Sequence, residues 1–232
     1  MRLALLSDIH ANHLALEAVL HAVRADRIDM LLVAGDLVGY YYSPGEVLGL
    51  LRPWHKHMVR GNHEDMLGAA RRNPEVLSRI ETRYGSGLRV ALANLPASQI
   101  EELIGMPACL PLEFEGYRVL LCHGAPWDTD QYVYPDAGED LMARCAVPGF
   151  DAVVMGHTHY PMVRTINGVM LVNPGSVGQP RDRRPGAAWA ILDTVARSAV
   201  LRQEAYDASA LVADARKRDP AIPYLHEVLE RN

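Results

Sequence analysis

No long hydrophobic run opens or interrupts this sequence. The N-terminus, MRLALLSDIH, offers one arginine and a four-residue apolar run before polar residues arrive. A secretory core needs roughly 7–15 apolar residues and a membrane span about 20, so neither is expected. Cysteine is scarce: Cys109, Cys122 and Cys145 are odd in number, widely spaced and without a CxxC pair. That excludes a disulfide framework and a zinc ribbon and suits a reducing compartment, so a soluble cytoplasmic protein is the expectation. A basic excess is also missing. The formal net charge of −5 argues against a general nucleic-acid binder and leaves room for a local cationic site. Aromatics are only 6% against 49% hydrophobic residues overall, so aliphatic side chains must fill most of the core. No internal repeat, low-complexity tract or break in composition divides the 232 residues, and one domain spanning 1–232 is expected.

What does recur is a short apolar run that stops at a polar cluster. LALL ends at Ser7-Asp8-Ile9-His10, and MLLVA ends at Gly35-Asp36. HMV leads into Arg60-Gly61-Asn62-His63-Glu64, and VLLC ends at His123-Gly124. AVVM ends at Gly156-His157-Thr158-His159, and MLV ends at Asn173-Pro174-Gly175-Ser176. Runs of this length without strict alternation read as strands covered on both faces.

Helices fall between the early strands. Over 12–24, Leu16, Val19, Leu20 and Val23 mark one helical face. Ser43-Pro44-Gly45-Glu46 has the spacing of a capping box and predicts a helix to about Arg52. Ser98 to Glu101 repeats that spacing, and Asn73-Pro74 reads as another cap. Later the pattern turns to hairpins, at Glu115-Gly116 and at Asn167-Gly168. AAWAILD and AVLRQEAY add two strands, and 208–218 and 223–231 are expected to be helical. The outcome is an α/β fold with a mixed sheet system and helices outside. Ligands in such folds sit beyond the carboxyl ends of the strands, where the polar clusters fall.

Those clusters bring Asp8, His10, Asp36, Asn62, His63, His123, His157 and His159, which include five of the ten histidines in the chain. In an extended Asp-x-His or His-x-His step the two side chains share a face and reach one locus. Imidazole, carboxylate and amide oxygen form a mixed N/O shell suited to Mn, Fe, Ni, Co or Zn. The donors are too many for one ion with an open position and suit two ions about 3.5–4 Å apart. Asp36, alone at its strand end, is the natural bridge. Two dications, two carboxylates and a bridging hydroxide leave about one positive charge, which attracts an anion beside an activated nucleophile. A phosphate ester fits both properties. Any one of these residues alone reads more plainly, as a cap or a surface group, and that reading is kept for His13, His21, His55, His57 and His226. Five clusters together do not.

The ordered set Asp8-Ile9-His10, Gly35-Asp36, Gly61-Asn62-His63-Glu64, His123-Gly124 and Gly156-His157-Thr158-His159 resembles the five motifs of the calcineurin-like metallophosphoesterases. It spans 8–159, about two-thirds of the chain. Asn173 to Arg181 further resembles a segment of the small YfcE- and MJ0936-like phosphodiesterases. The resemblance implies a two-sheet mixed β-sandwich flanked by helices, a four-layer αββα arrangement. It implies a first metal held by Asp8, His10, Asp36 and His159, and a second held by Asp36, Asn62, His123 and His157. His63 is then the catalytic histidine, contacting phosphate and protonating the leaving oxygen.

Where the Ser/Thr protein phosphatases of the superfamily carry GDxVDRG, this chain has Gly39 and Tyr40 in place of the Asp and Arg. That removes an orienting carboxylate and a guanidinium, and weighs against protein phosphatase activity. Asn12 is a candidate for phosphate contact or for the cap of its helix, and Arg181 is a candidate to steer the anion. Tyr40, Tyr41 and Tyr42 either stack on a base or close the core edge. The expected substrate is a small phosphate ester, a diester before a monoester, with no membrane or nucleic-acid partner; a homo-oligomer is compatible. The competing readings are a catalytically silent scaffold similar to Vps29 and a metal-dependent nuclease.

Overall fold

Strand β1 (Arg2–Leu6) sets the layering. Leu3 and Leu5 point one way, Ala4 and Leu6 the other, as a strand's period requires, and all four are fully buried. Leu3 and Leu5 enter a core with Leu32, Val119, Leu121, Val154 and Val172. Ala4 and Leu6 enter another with Leu16, Val19, Leu31 and Val33. The first core lies between two sheets and the second between a sheet and helices.

A computed structural model describes residues 1–28 and 30–231. After β1 come α1 (His13–Ala25), β2 (Met30–Ala34), α2 (Pro44–Leu51), β3 (His55–Val59), α3 (Asn62–Arg72), α4 (Pro74–Tyr84), α5 (Gly87–Asn94) and α6 (Ala97–Gly105). The second half has β4 (Cys109–Phe114), β5 (Tyr117–Cys122), α7 (Glu139–Cys145), β6 (Ala152–Val154), β7 (Met162–Ile166) and β8 (Val169–Asn173). The chain then runs through β9 (Ala187–Asp193), β10 (Ser198–Glu204), α8 (Ser209–Arg218) and α9 (Tyr224–Glu227). One sheet has the order β10-β9-β1-β2-β3, with β1, β2 and β3 parallel. The other has the order β4-β5-β6-β8-β7, with β5, β6 and β8 parallel. A third core of Leu120, Cys122, Met142, Cys145, Val153 and Leu171 lies under α7. The mixed two-sheet sandwich with outer helices is the expected one. Among the described residues no helix is long and apolar enough to cross a membrane.

Local chemistry explains the boundaries. Leu16, Val19, Leu20 and Val23 are buried along α1, and each fully buried aliphatic side chain of this kind contributes about 1.5–3 kcal/mol. Asn73 caps α4 by accepting Glu75 N–H at 2.9 Å. Both hairpin turns place their two central residues at positive φ, Glu115 and Gly116 at 53° and 84°, Asn167 and Gly168 at 50° and 82°. That is the type I′ geometry that matches strand twist.

Four local expectations need correction. Ser43 precedes α2 but makes no side-chain cap bond. Ser98 lies inside α6, which starts at Ala97 behind Pro96, so no capping box forms there. The last helix stops at Glu227 instead of 231, and Leu229 N–H bonds His226 carbonyl in a tighter i→i+3 turn. Strand β3 is an edge strand with only Val59 fully buried, so not every apolar run is covered on both faces.

Candidate metal centre

The parallel strands end at one rim. Asp8 and His10 follow β1, Asp36 follows β2, and Asn62 and His63 open α3 just beyond β3. His123 follows β5, and His157 and His159 follow β6. All eight side chains are buried.

The extended Asp-x-His and His-x-His geometry is not what brings them together. Asp8, His10, Asp36, His157 and His159 sit at φ of 53°, 50°, 55°, 66° and 62°, all in the left-handed region. For residues other than glycine that region costs roughly 1–2 kcal/mol each, and such strain gathers at functional sites. Backbone hydrogen bonds hold it: Asp8 N–H to Gly35 carbonyl at 3.1 Å, and His10 N–H to Asp36 carbonyl at 2.9 Å.

Convergence is tight. One group joins Asp8, His10 and His159, and another joins Asp36, His123 and His157, with ligand atoms within 4.8 Å of one another in each. A third set, His10, Asp36 and His63, links the two. Asp36 Oδ2 stands 3.7 Å from His10 Nε2 and 3.3 Å from His123 Nε2, so it faces both groups. Asn62 Oδ1 lies 3.0 Å from His123 Nε2.

Hydrogen bonds on the far side of each ring fix which nitrogen faces inward. His10 Nδ1 bonds Val38 carbonyl at 3.2 Å, His123 Nδ1 bonds Ala34 carbonyl at 2.6 Å, and His159 Nδ1 bonds Gln179 carbonyl. A neutral ring that donates from Nδ1 leaves an Nε2 lone pair. His157 is reversed, with Nε2 on Asp130 carbonyl at 3.2 Å and Nδ1 left over. The Nε2 atoms of His10 and His159 therefore confront each other at 3.2 Å as two acceptors. Asp8 Oδ1, 3.3 Å from His159 Nε2, is buried without a hydrogen-bond donor. Buried acceptors turned on one another repel unless a cation lies between them. The residues fit divalent ions.

Protonation follows the same logic. Burial, and then His63, hold His10 well below its ordinary value, and burial with Arg181 does the same for His159. Burial and then His123 push His157 down to about 4. Neutral imidazoles are the form that ligates metal. Burial would raise Asp36, but His123 and His63 outweigh it and hold the carboxyl well below the usual range. His123 is the counterpart: burial lowers it, yet Asp36 carries it up to about 10. A proton on His123 thus takes the place of a cation beside Asp36. Burial pushes Asp8 up to about 7.

In the sequence Glu64 is only the last residue of the Gly61-Asn62-His63-Glu64 motif. Fully buried, its carboxylate accepts the N–H groups of Asp36, Leu37, Val38 and Gly61 at 2.9, 2.8, 3.3 and 2.7 Å. It staples the Asp36 loop to the start of α3. The 173–181 segment is a second clasp, with Ser176 Oγ and Gly178 N–H both on Asp8 carbonyl at 2.7 and 3.0 Å. Asn12 is occupied by the fold: Oδ1 accepts Ala15 N–H, and Nδ2 donates to Gly178 carbonyl and Tyr206 Oη. Arg181 Nη2 donates to Tyr40 Oη and Gln179 Oε1, both at 3.1 Å, while its Nε is buried and unpartnered. Tyr40, Tyr41 and Tyr42 close the core edge.

Gly39 shows why no carboxylate orients His63 here. A Cβ at Gly39 would overlap His63 Nδ1, and its φ of 88° suits only glycine. Gly39→Ala is therefore expected to displace the His63 ring and lower the activity of the centre by about a hundredfold, with metal content unchanged by elemental analysis.

A family model, the calcineurin-like phosphoesterase superfamily domain, matches residues 1–197. The chain belongs to that superfamily. This phosphoesterase is 30% identical over 210 residues to the uncharacterized protein MJ0912 of Methanocaldococcus jannaschii, covering 82% of each chain. Its fold matches the crystal structure of a metallophosphoesterase from Sphaerobacter thermophilus with a TM-score of 0.79 at 26% identity, over 100% of this chain and 99% of that one. It also matches the hypothetical protein PH1004 of Pyrococcus horikoshii OT3, with a TM-score of 0.86 at 20% identity over 98% and 97%. The phosphoesterase is a phosphoric ester hydrolase by family. That family implies divalent metal ions, and the Asp–His groups supply donors for them.

Proposed function

We propose that the phosphoesterase hydrolyses small phosphate esters, diesters in preference to monoesters, with two divalent cations drawn from Mn²⁺, Fe²⁺/³⁺, Ni²⁺, Co²⁺ and Zn²⁺. The observation that carries this reading is Asp36, whose Oδ2 faces His10 of one donor group and His123 of the other. Asp8, His10, Asp36 and His159 would hold one ion, and Asp36, Asn62, His123 and His157 the other. Bound ions would neutralise phosphoryl oxygens and acidify water.

The remaining work falls to the chain. His63 N–H donates to Asp36 Oδ1 at 2.8 Å, which fixes the first turn of α3 and aims the imidazole at the shared carboxylate. Its ring packs 4.7 Å from His10 and 4.7 Å from Tyr40, so it has little freedom. Burial lowers its basicity, and a bound phosphate supplies the opposite bias, favouring the imidazolium that protonates the leaving oxygen. Arg181 is assigned to the phosphate through its unpartnered Nε. Asn12, with its amide engaged, is assigned to holding the loop. Aromatic rings flank the cluster on two sides, Tyr40 and Tyr84 beside His63 and Tyr132 beside His157. This supports a substrate with an organic group on either side of phosphorus.

The test supplies Mn²⁺ to the protein and compares bis(p-nitrophenyl) phosphate with p-nitrophenyl phosphate. Turnover that favours the diester is expected. His63→Ala is expected to lower kcat by about 10²–10⁴-fold at unchanged metal content. Bound metal without turnover of either ester would sink the hydrolase and favour a binding scaffold.

A further inference from the structure

Tyr40, Tyr41 and Tyr42, the tyrosines that stood out in the sequence, are 8%, 0% and 7% exposed and belong to the core. Two others do not. Tyr132 and Tyr134, in the segment between β5 and α7, are 41% and 40% exposed. Their rings stack at 5.6 Å with an interplanar angle of 11°. Tyr132 also lies 4.0 Å from the His157 ring, and Tyr134 meets Tyr160 edge-on at 5.8 Å. The segment is anchored: Asp130 carbonyl takes His157 Nε2, Ala137 N–H bonds Tyr134 carbonyl at 3.0 Å, and Arg164 bonds Pro135 carbonyl at 3.1 Å. An ordered pair of ring faces is thus held at the rim of the metal centre and left open to solvent.

The neighbourhood limits the occupant. Tyr132 packs on His157, one of the donors that would hold a cation, so the rings lie beside the place where an anion would sit and suit a ring tethered to that anion. A planar aromatic group stacks on such a face, and stacking tolerates any π-system. We propose that Tyr132 and Tyr134 form a stacking subsite for an aromatic ring, aryl or nucleobase, carried by the phosphate ester. This rests on the phosphate being held at the adjacent donor groups, as in the proposed function.

The test is calorimetric binding to the Mn²⁺-supplemented protein, which does not depend on turnover. Phenylphosphonate and methylphosphonate differ by the ring. Adenosine 5′-monophosphate and ribose 5-phosphate, titrated into His63→Ala, differ by the base. At least one ring-bearing ligand is expected to bind about tenfold more tightly than its ringless mate, and which pair shows the preference identifies aryl or nucleobase. Tyr132→Leu and Tyr134→Leu are expected to bring that ratio within about threefold, with the ringless ligand bound as before. Tyr134→Phe, which keeps the ring, should preserve it. Equal binding within both pairs, binding of no ligand, or a ratio undiminished in both Leu variants overturns the subsite. Ester hydrolysis without ring preference leaves the hydrolase standing and removes only the subsite; ring preference without hydrolysis does the reverse.

Discussion

Asp36→Asn is expected to reduce phosphoesterase activity by at least about a thousandfold and bring bound metal below one equivalent per chain, without unfolding the protein. The substitution is chosen for what it leaves intact. An asparagine keeps an oxygen for His63 N–H, the bond that Asp36 Oδ1 makes at 2.8 Å. What changes is the atom at Oδ2, which becomes an NH₂ pointing at the Nε2 lone pairs of His10 and His123. Two imidazoles then gain a donor where they had shared an anion, and the cavity loses the negative charge that faces both of them. His123, carried up to about 10 by Asp36 despite its burial, loses that partner and returns toward the neutral form. Elemental analysis and the rise in Tm on adding Mn²⁺ read the metal loss directly, since binding to the folded state alone stabilises it. A variant that keeps two metal equivalents and more than about a tenth of the activity would show that Asp36 is not shared.

Strand ends were the legible part of this molecule. Each apolar run stops where a chain leaves a sheet, and an Asp, Asn or His placed there is visible in one sequence. Hairpins were equally visible, because Glu115-Gly116 and Asn167-Gly168 are short turn signals between apolar segments. Geometry inside the clusters was not. An extended Asp-x-His step brings both side chains to one face, but the left-handed φ of Asp8, His10, His157 and His159 is held by long-range bonds, to Gly35 and Asp36, to the Asp8 carboxylate and to the 173–181 segment. Composition carries no sign of φ at a residue other than glycine. Glu64 fails to stand out for a similar reason, since three of its four partners are backbone groups 26 to 28 positions away. Tyr132 and Tyr134 sit in a segment with no periodicity at all. Helices α5 and α7 are short, and α3 starts on the polar Asn62-His63-Glu64-Asp65 stretch, so no apolar stripe announced it.

Glu64→Ala is expected to destabilise the metal-free protein by about 3–5 kcal/mol, because four backbone donors lose one charged acceptor. None of the four has an easy substitute. Asp36, Leu37 and Val38 lie in a buried loop, and Gly61 precedes a helix whose first N–H groups have no partner within the helix. Burial, and then the Asp36 charge, push Glu64 up to about 7, against four N–H groups that favour the carboxylate. The fold therefore tolerates an expensive buried acid at this position, which implies that the acid holds something in place. What it holds is the distance between Asp36 on one loop and Asn62 and His63 on the next. Glu64→Gln separates the two consequences. The amide keeps the volume and one acceptor oxygen, so most of the stability should survive, while its NH₂ turns against a backbone N–H and lets the loop and helix part. Activity and metal affinity are expected to fall by about 10–100-fold in that variant, the usual effect of losing a group that orients ligands. Urea midpoints of the metal-free proteins measure the first effect, and metal titration of Glu64→Gln measures the second. An alanine variant within about 1 kcal/mol of the parent would mean that water satisfies those donors and that the loop holds Asp36 by itself.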